Sequence, residues 1–176
     1  MTAPALYPDT PPWRRHALAV GGRHVLAVSE HGREDGLAAL VLHGGPGSGT
    51  APLLRRFFDP GRFRVVCVDQ RGAGASRPRG AIEHNTTGEL LADLRRVREQ
   101  LRIERWLVVG GSWGATLALA HAAAEPGAVA ALLLRAVFLA RADDIAGFFA
   151  GSGLELDDLV AALHGNDAAA AQTAAL

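Results

Sequence analysis

A chain of 176 residues with 18 basic and 18 acidic residues has the size of one globular domain and no net charge to attract nucleic acid or an anionic membrane. Its single cysteine excludes an intramolecular disulfide, and no apolar run approaches the ~20 residues that a bilayer span requires. The first residues lack the basic start and apolar stretch of a secretory signal, so we expect a cytoplasmic protein.

The first half of the chain predicts a hairpin followed by buried strands. Residues 16–20 and 24–32 alternate in character around a Gly-Gly pair, as in a β-hairpin, and we expect its histidines, His16, His24 and His31, at the surface. Four continuous apolar runs predict strands buried on both faces of a parallel sheet: 37–45, 62–72, 105–111 and 128–138.

Two helices are predicted between these strands. Residues 86–103 place leucines and a valine on one stripe, with Thr86 or Thr87 as the N-cap and Glu89 completing a capping box. Residues 113–127 form an alanine-rich segment that Pro126 and Gly127 end. The order β-β-β-α-β-α-β-α-β predicts an α/β fold with right-handed crossovers.

The last 35 residues differ in charge and in pattern. All 18 arginines lie at or before Arg141, and the segment after it carries six acidic residues and no basic one. We therefore divide the chain into a core, residues 1–140, and a separate segment of two or three short helices, residues 141–176.

A serine stands at a strand-to-helix turn. Gly110, Ser112 and Gly114 satisfy the pattern G-x-S-x-G, directly after an apolar strand and directly before a helix. This context predicts a serine nucleophile whose oxyanion is stabilised by the helix N-terminus and backbone N–H groups. The alternative is a glycine-rich turn with an idle serine.

Two further motifs follow the ends of neighbouring predicted strands. LHGGPG, residues 42–47, predicts a loop that donates one oxyanion hydrogen bond from Gly45, with the second coming from Trp113. DQRGAGASRP, residues 69–78, offers Asp69 and Arg71 as an ion pair that braces this loop from behind, together with His43. A solvated pair of loop charges is the alternative.

These segments together resemble the proline iminopeptidases, serine peptidases of the α/β-hydrolase fold. The similar segments are HGGPG, DQRGAGAS, NTT at 85–87, GGSWG and LRAVFLAR at 134–141, in that order between about residues 7 and 149. The resemblance implies release of an N-terminal proline from a peptide, with Ser112 as nucleophile and neither a metal nor an organic cofactor. It also implies that Phe138 and Phe148 are walls of the pocket for the proline ring.

The same resemblance implies that part of the fold lies outside this sequence. It predicts a truncated α/β-hydrolase fold with about six of eight strands and the beginning of a helical cap. The triad Asp and His and the acids that bind the substrate amine are then absent. His121 lies ~13 Å from Ser112 along one helix, on the opposite face. His164, preceded by Asp157 and Asp158, reaches the serine only if the tail folds back.

A truncated sheet has an exposed edge strand, and we predict the consequence of that edge. The apolar run 128–138 becomes an edge strand, and such edges favour self-association. Two other interpretations stay open: a different serine esterase or aminopeptidase of the same fold, and a non-catalytic remnant that binds peptides or pairs with a partner chain supplying the missing strands.

Overall fold

A computed structural model describes residues 6–45, 47–137, 139 and 141. Within them, six strands form one sheet, and three α-helices and one short 3-10 helix (Pro126–Ala128) connect or flank the strands. The predicted order is confirmed, and the observed bounds are β1 (Arg14–Gly21), β2 (His24–Gly32), β3 (Leu37–Leu42), α1 (Pro52–Arg55), β4 (Phe63–Val68), α2 (Thr87–Gln100), β5 (Trp106–Ser112), α3 (Trp113–Ala124) and β6 (Val129–Val137). Strands β3 and β4 end three and four residues earlier than predicted, where glycine and polar residues enter the loops, and β5 ends one residue later, at Ser112.

The strand order in the sheet is β1-β2-β4-β3-β5-β6. The pairs β1–β2 and β2–β4 are antiparallel, and β3–β4, β3–β5 and β5–β6 are parallel. Leu40 of the central strand pairs with Val66 on one side and with Val108 on the other. The carboxyl ends of β4, β3 and β5 therefore lie side by side, and the three loops that carry the predicted motifs meet at one edge of the sheet.

Apolar side chains cover both faces of the sheet. The larger cluster joins one face to α2 and α3 and includes Leu40, Leu42, Val66, Leu94, Val97, Val108 and Leu117. The smaller cluster lies on the other face and includes Ala39, Val41, Phe58, Val65 and Cys67. Strands with buried residues on both faces explain why β3 and β4 are continuous apolar runs in the sequence.

The start of α2 confirms the predicted capping box. Thr86 is the N-cap; its hydroxyl accepts a hydrogen bond from the Glu89 N–H, while the Glu89 carboxylate accepts one from the Thr86 N–H at 3.0 Å. Two first-turn N–H groups are satisfied in this way, which fixes where the helix begins.

The surface placement of the hairpin histidines was wrong for two of the three. His24 and His31 are 2% and 3% exposed. One ring nitrogen of His24 bonds to the carbonyl of Glu83 at 2.8 Å, and one of His31 bonds to that of Thr10 at 3.0 Å. The chain before β1 and the loop before α2 fold over the hairpin, so its polar side chains find carbonyl partners inside the protein. His16 is half-buried and bonds to the Glu30 carboxylate at 2.8 Å.

Strand β6 forms one edge of the sheet. It pairs with β5, and no other strand among the described residues pairs with its second edge. Most of its side chains are exposed, and Leu133 is 57% exposed. An apolar strand with unpaired N–H and C=O groups is a template for pairing with another strand.

We predict that the chain self-associates through β6. Sedimentation velocity should show concentration-dependent dimers or larger species, and Leu133→Lys should shift the distribution towards monomer because a charge on the edge opposes strand addition. Leu37→Lys is the matched control, since Leu37 is 62% exposed but lies on β3. A monodisperse monomer, or an equal effect of both variants, would contradict the prediction.

Candidate active site

Ser112 occupies a strained position at the junction of β5 and α3. It is the last residue of the strand and the N-cap of the helix, with φ 55° and ψ −126°. A non-glycine residue at positive φ costs about 1–3 kcal/mol and persists only when surrounding contacts enforce it. The side chain is exposed and makes no capping hydrogen bond to α3. The strain therefore presents the hydroxyl outward instead of capping the helix.

Two glycines permit this turn by close backbone approach. A Cβ at Gly110 would overlap the carbonyl oxygen of Gly114 and lie 2.8 Å from the nitrogen of Ala115. A Cβ at Gly114 would overlap the carbonyl of Leu42 and lie 2.8 Å from that of His43. The glycines two before and two after Ser112 are thus required by contact with α3 and with the end of β3, which accounts for the spacing of the motif.

The glycine-rich loop after β3 runs directly beside the serine. A Cβ at Gly44 would lie 3.0 Å from the carbonyl oxygen of Gly111 and 3.3 Å from the Cβ of Ser112. Gly45 follows, and Trp113 is the first residue of α3, where helical geometry leaves the N–H without an intrahelical acceptor. The structure therefore brings the loop that carries Gly45 beside the strand-to-helix turn that carries Ser112 and Trp113.

A buried polar network lies immediately behind these loops. The backbone N–H of Gln70 donates to Nε2 of His43 at 3.1 Å, and the Gln70 amide donates from Nε2 to the carbonyl of His43 at 3.0 Å. The indole Nε1 of Trp113 donates to Oε1 of the same amide at 2.9 Å. His43, Gln70 and Trp113 are 1%, 4% and 6% exposed.

The network fixes the tautomer and charge of His43. Because Nε2 accepts from the Gln70 N–H, Nδ1 carries the proton and donates to the carbonyl of Gly44 at 2.8 Å. Burial is the main cause that lowers the pKa of His43 below its usual value, against the opposing effect of the Gly44 carbonyl. Both ring nitrogens are occupied, so His43 supports the glycine loop and is not available as a base.

The predicted ion pair between Asp69 and Arg71 is not formed. The carboxylate of Asp69 accepts hydrogen bonds from the N–H of Thr50 at 2.7 Å and of Ala75 at 2.8 Å. The Asp69 carboxylate is thus engaged by backbone N–H groups, while the guanidinium of Arg71 is directed to Asp93. Asp69 still holds the segment after the glycine loop, through backbone N–H groups instead of a guanidinium.

Arg71 pairs instead with a helix. Its Nε and Nη2 donate to the two carboxylate oxygens of Asp93 in α2 at 2.6 and 2.8 Å, and Nη2 also donates to the carbonyl of Val20 at 3.2 Å. Burial raises the pKa of the Asp93 carboxyl, and the hydrogen bonds from Arg71 oppose that shift. The pair joins the loop after β4 to α2 and to the hairpin.

The family follows from comparison with known sequences. A sequence profile for the alpha/beta hydrolase fold matches residues 40–156. The chain belongs to this family. The match begins within β3 and includes the glycine loop, the DQRG segment and the serine turn, which are the three segments that meet at the sheet edge.

Individual relatives carry a more specific name. A proline iminopeptidase of Arabidopsis thaliana is 48% identical over 146 residues, which are 83% of this chain and 38% of the relative. One from Neisseria meningitidis serogroup A is 48% identical over 136 residues, 77% of this chain and 44% of the relative. The crystal structure of a proline iminopeptidase-related protein from Thermus thermophilus superposes with a TM-score of 0.59 at 32% identity, over 69% of this chain and 43% of that one.

These relatives confirm the resemblance stated from the motifs. This α/β hydrolase chain spans less than half the length of each of the three. Phe138 and Phe148, predicted to line a proline pocket, lie outside the described residues, and so does the predicted helical segment after residue 141. No described helix has the length and apolar character needed to cross a membrane.

The described histidines do not supply a base for Ser112. In α/β hydrolases the base follows the nucleophile in the chain, after the acid. His121 does follow it, but it is fully buried, and its Nε2 accepts a hydrogen bond from the indole of Trp106 at 3.1 Å. Among the residues that the structure describes, no hydrogen bond reaches the Ser112 hydroxyl, and no group of three or more His, Cys, Asp or Glu is placed to hold a metal. His164 lies outside them.

The sequence patterns did not single out Gln70 or Arg135. In the sequence, Gln70 is marked only as a polar residue at the carboxyl end of a buried strand. Its two neighbours are charged and give the stronger signal for an ion pair. The guanidinium of Arg135, on β6, stands 3.7 Å from where a Cβ of Gly111 would lie. It therefore places a positive charge beside the serine turn.

We predict that the chain loses stability as the pH falls below the usual histidine pKa of 6.5. Burial lowers the folded-state pKa of His43, His31 and His121. A lowered pKa means that the neutral form stabilises the fold above pH 6.5, and this contribution is lost as the pH falls through the folded-state values.

Urea unfolding at about pH 7.5 and about pH 5.5 measures the effect, because carboxylates titrate mostly below this interval. The free energy of unfolding should be lower at the lower pH, in the wild type and equally in His84→Asn, which changes an exposed histidine. A free energy that is constant or rises towards acid would contradict the prediction.

Proposed function

We propose that this chain carries the nucleophile and oxyanion-hole half of a serine peptidase that releases an N-terminal proline from peptides. The observation that carries the proposal is the strained, exposed Ser112, held beside the glycine loop after β3. The substrate class rests on the relatives, which are named proline iminopeptidases and are 48% identical across the segment that includes both motifs.

The proposed reaction proceeds by acyl transfer. The Ser112 hydroxyl oxygen attacks the carbonyl carbon of the N-terminal proline as a base removes its proton, and negative charge develops on the carbonyl oxygen. The N–H groups of Gly45 and Trp113 donate to that oxygen, and the N-terminus of α3 favours its charge. The amide C–N bond then breaks as the base returns its proton to the leaving amine, and water hydrolyses the prolyl ester on Ser112.

We further propose that the base and its acidic partner are not among these 176 residues. His43 and His121 are both buried and hold structural hydrogen bonds. The relatives are more than twice as long as the segment they share with this chain, and the second part of such a protein is where the order Ser–Asp–His places the two residues. The 176-residue chain by itself is then inactive.

Hydrolysis of a prolyl arylamide tests the proposal. In the full product of the gene that contains this sequence, Ser112→Ala should lower kcat by at least about 10⁴-fold, because the nucleophile is removed. Ser29→Ala, which deletes a hydroxyl on β2, should keep kcat within about twofold. Activity that survives Ser112→Ala would reject the nucleophile, and a marked preference for acyl esters over prolyl arylamides would reject the substrate class.

The 176-residue chain is assayed in parallel. No turnover is expected because its base is missing. Turnover that disappears in Ser112→Ala would overturn the proposal for the base, and it would make His164 the next residue to replace.

A further inference from the structure

The side chain of Gln70 spans three neighbouring strand ends. Gln70 follows β4, His43 follows β3 and Trp113 follows β5, and these strands lie in the order β4-β3-β5. Its amide donates to the carbonyl of His43 and accepts from the indole of Trp113, so it reaches across the end of β3. Each contact is between 2.9 and 3.0 Å and is shielded from water.

The orientation of this amide follows from its partners. The indole N–H of Trp113 can only donate, so the amide oxygen must face it. The carbonyl of His43 can only accept, so the amide nitrogen must face that side. A glutamine is therefore matched at both ends. A carboxylate would place an acceptor against the carbonyl of His43, and a thioether would satisfy neither partner.

Each of the two residues that Gln70 connects is close in the chain to one N–H donor of the proposed oxyanion hole. His43 begins the glycine loop and lies two residues before Gly45. Trp113 carries the second donor on its own backbone and the bond to Gln70 on its side chain. From these contacts we propose that Gln70 is a positioning residue, which sets the separation and direction of the Gly45 and Trp113 N–H groups. This inference rests on the proposed function and goes beyond it.

Oxyanion stabilisation is sensitive to such positioning. Donors must lie within about 2.7–3.1 Å of the oxyanion, and misplacement by about 1 Å costs on the order of 10²-fold in rate. Substrate binding does not depend on this geometry to the same degree, since charge on the oxygen develops only in the transition state. Loss of the Gln70 contacts should therefore lower kcat and leave KM nearly unchanged.

Two substitutions separate the contacts. Gln70→Met keeps the length of the side chain and removes both of its hydrogen bonds. Trp113→Phe removes the indole donor, while it keeps both Gln70–His43 hydrogen bonds and a backbone N–H at residue 113. In the full gene product each variant should lower kcat for a prolyl arylamide by about 10- to 100-fold with KM within about twofold. The double variant should be no slower than about Gln70→Met alone, because the indole bond that Trp113→Phe removes is already lost in Gln70→Met.

Asp93→Asn is the control for general loss of stability. It weakens the other buried polar link of the same loop, between Arg71 and Asp93, which points towards α2 and the hairpin. It should lower the free energy of unfolding while kcat stays within about twofold in the folded protein. A Gln70 variant whose kcat loss is matched by Asp93→Asn would overturn the positioning role.

A test that does not depend on turnover is the NMR spectrum of the tryptophan indole N–H groups. The chain has three tryptophans, and Gln70→Met should move the ¹H–¹⁵N resonance of the Trp113 indole, identified by its absence in Trp113→Phe, while leaving those of Trp13 and Trp106 in place. An unmoved Trp113 signal would show that the bond is not made and would overturn the inference.

The outcomes distinguish this inference from the proposed function. If Ser112→Ala abolishes turnover while Gln70→Met and Trp113→Phe keep kcat within twofold, the nucleophile stands and the role of Gln70 is wrong. If Ser112→Ala keeps full turnover, the proposed function fails and the positioning role fails with it. Should Gln70→Met not fold, Trp113→Phe alone decides, because a kcat within twofold of wild type overturns the inference.

Discussion

The packing of Gly114 against the end of β3 is the contact on which the rest of the site depends. No side chain fits between Gly114 and the carbonyls of Leu42 and His43, so the first turn of α3 lies directly on the backbone that leads into the glycine loop. That approach forces Ser112 to positive φ and turns its hydroxyl outward. Strain at a single residue is thus imposed by parallel strands and a helix, which are the most rigid parts of the fold.

Behind this contact, polar side chains bind backbone groups at the carboxyl ends of the strands that would otherwise lack hydrogen-bond partners. The three strand ends carry backbone N–H and C=O groups that no longer pair within the sheet, and each buried group needs a partner. The residues of the DQRG segment make hydrogen bonds of this kind, and further buried polar contacts, in three directions. Asp69 accepts from the N–H of Thr50 before α1 and of Ala75 in its own loop, Gln70 binds His43 and Trp113, and Arg71 binds Asp93. One short segment therefore ties the serine turn to the glycine loop, α2 and the hairpin.

Much of the fold was predictable because its signals are local. Buried strands read as continuous apolar runs, the capping box at Thr86 and Glu89 has a fixed spacing, and glycines mark the turns around Ser112. The partners of polar side chains were not predictable in the same way. Asp69 and Arg71 are two residues apart and suggested an ion pair, yet Arg71 reaches Asp93, which is 22 residues away along the chain. The burial of His24 and His31 likewise depends on distant segments that fold over the hairpin. The role of Gln70 was not predictable because no sequence pattern of fixed spacing identifies the partners of a neutral amide.

The structure of a covalent adduct on Ser112 tests the central claim most directly. A prolyl boronate bound to the full product of the gene would place an oxygen where the oxyanion develops. The account predicts that this oxygen lies about 2.7–3.1 Å from the backbone nitrogens of both Gly45 and Trp113, with the Gln70 amide still bonded to His43 and Trp113. An adduct on another residue, or an oxygen that contacts neither nitrogen, would contradict it.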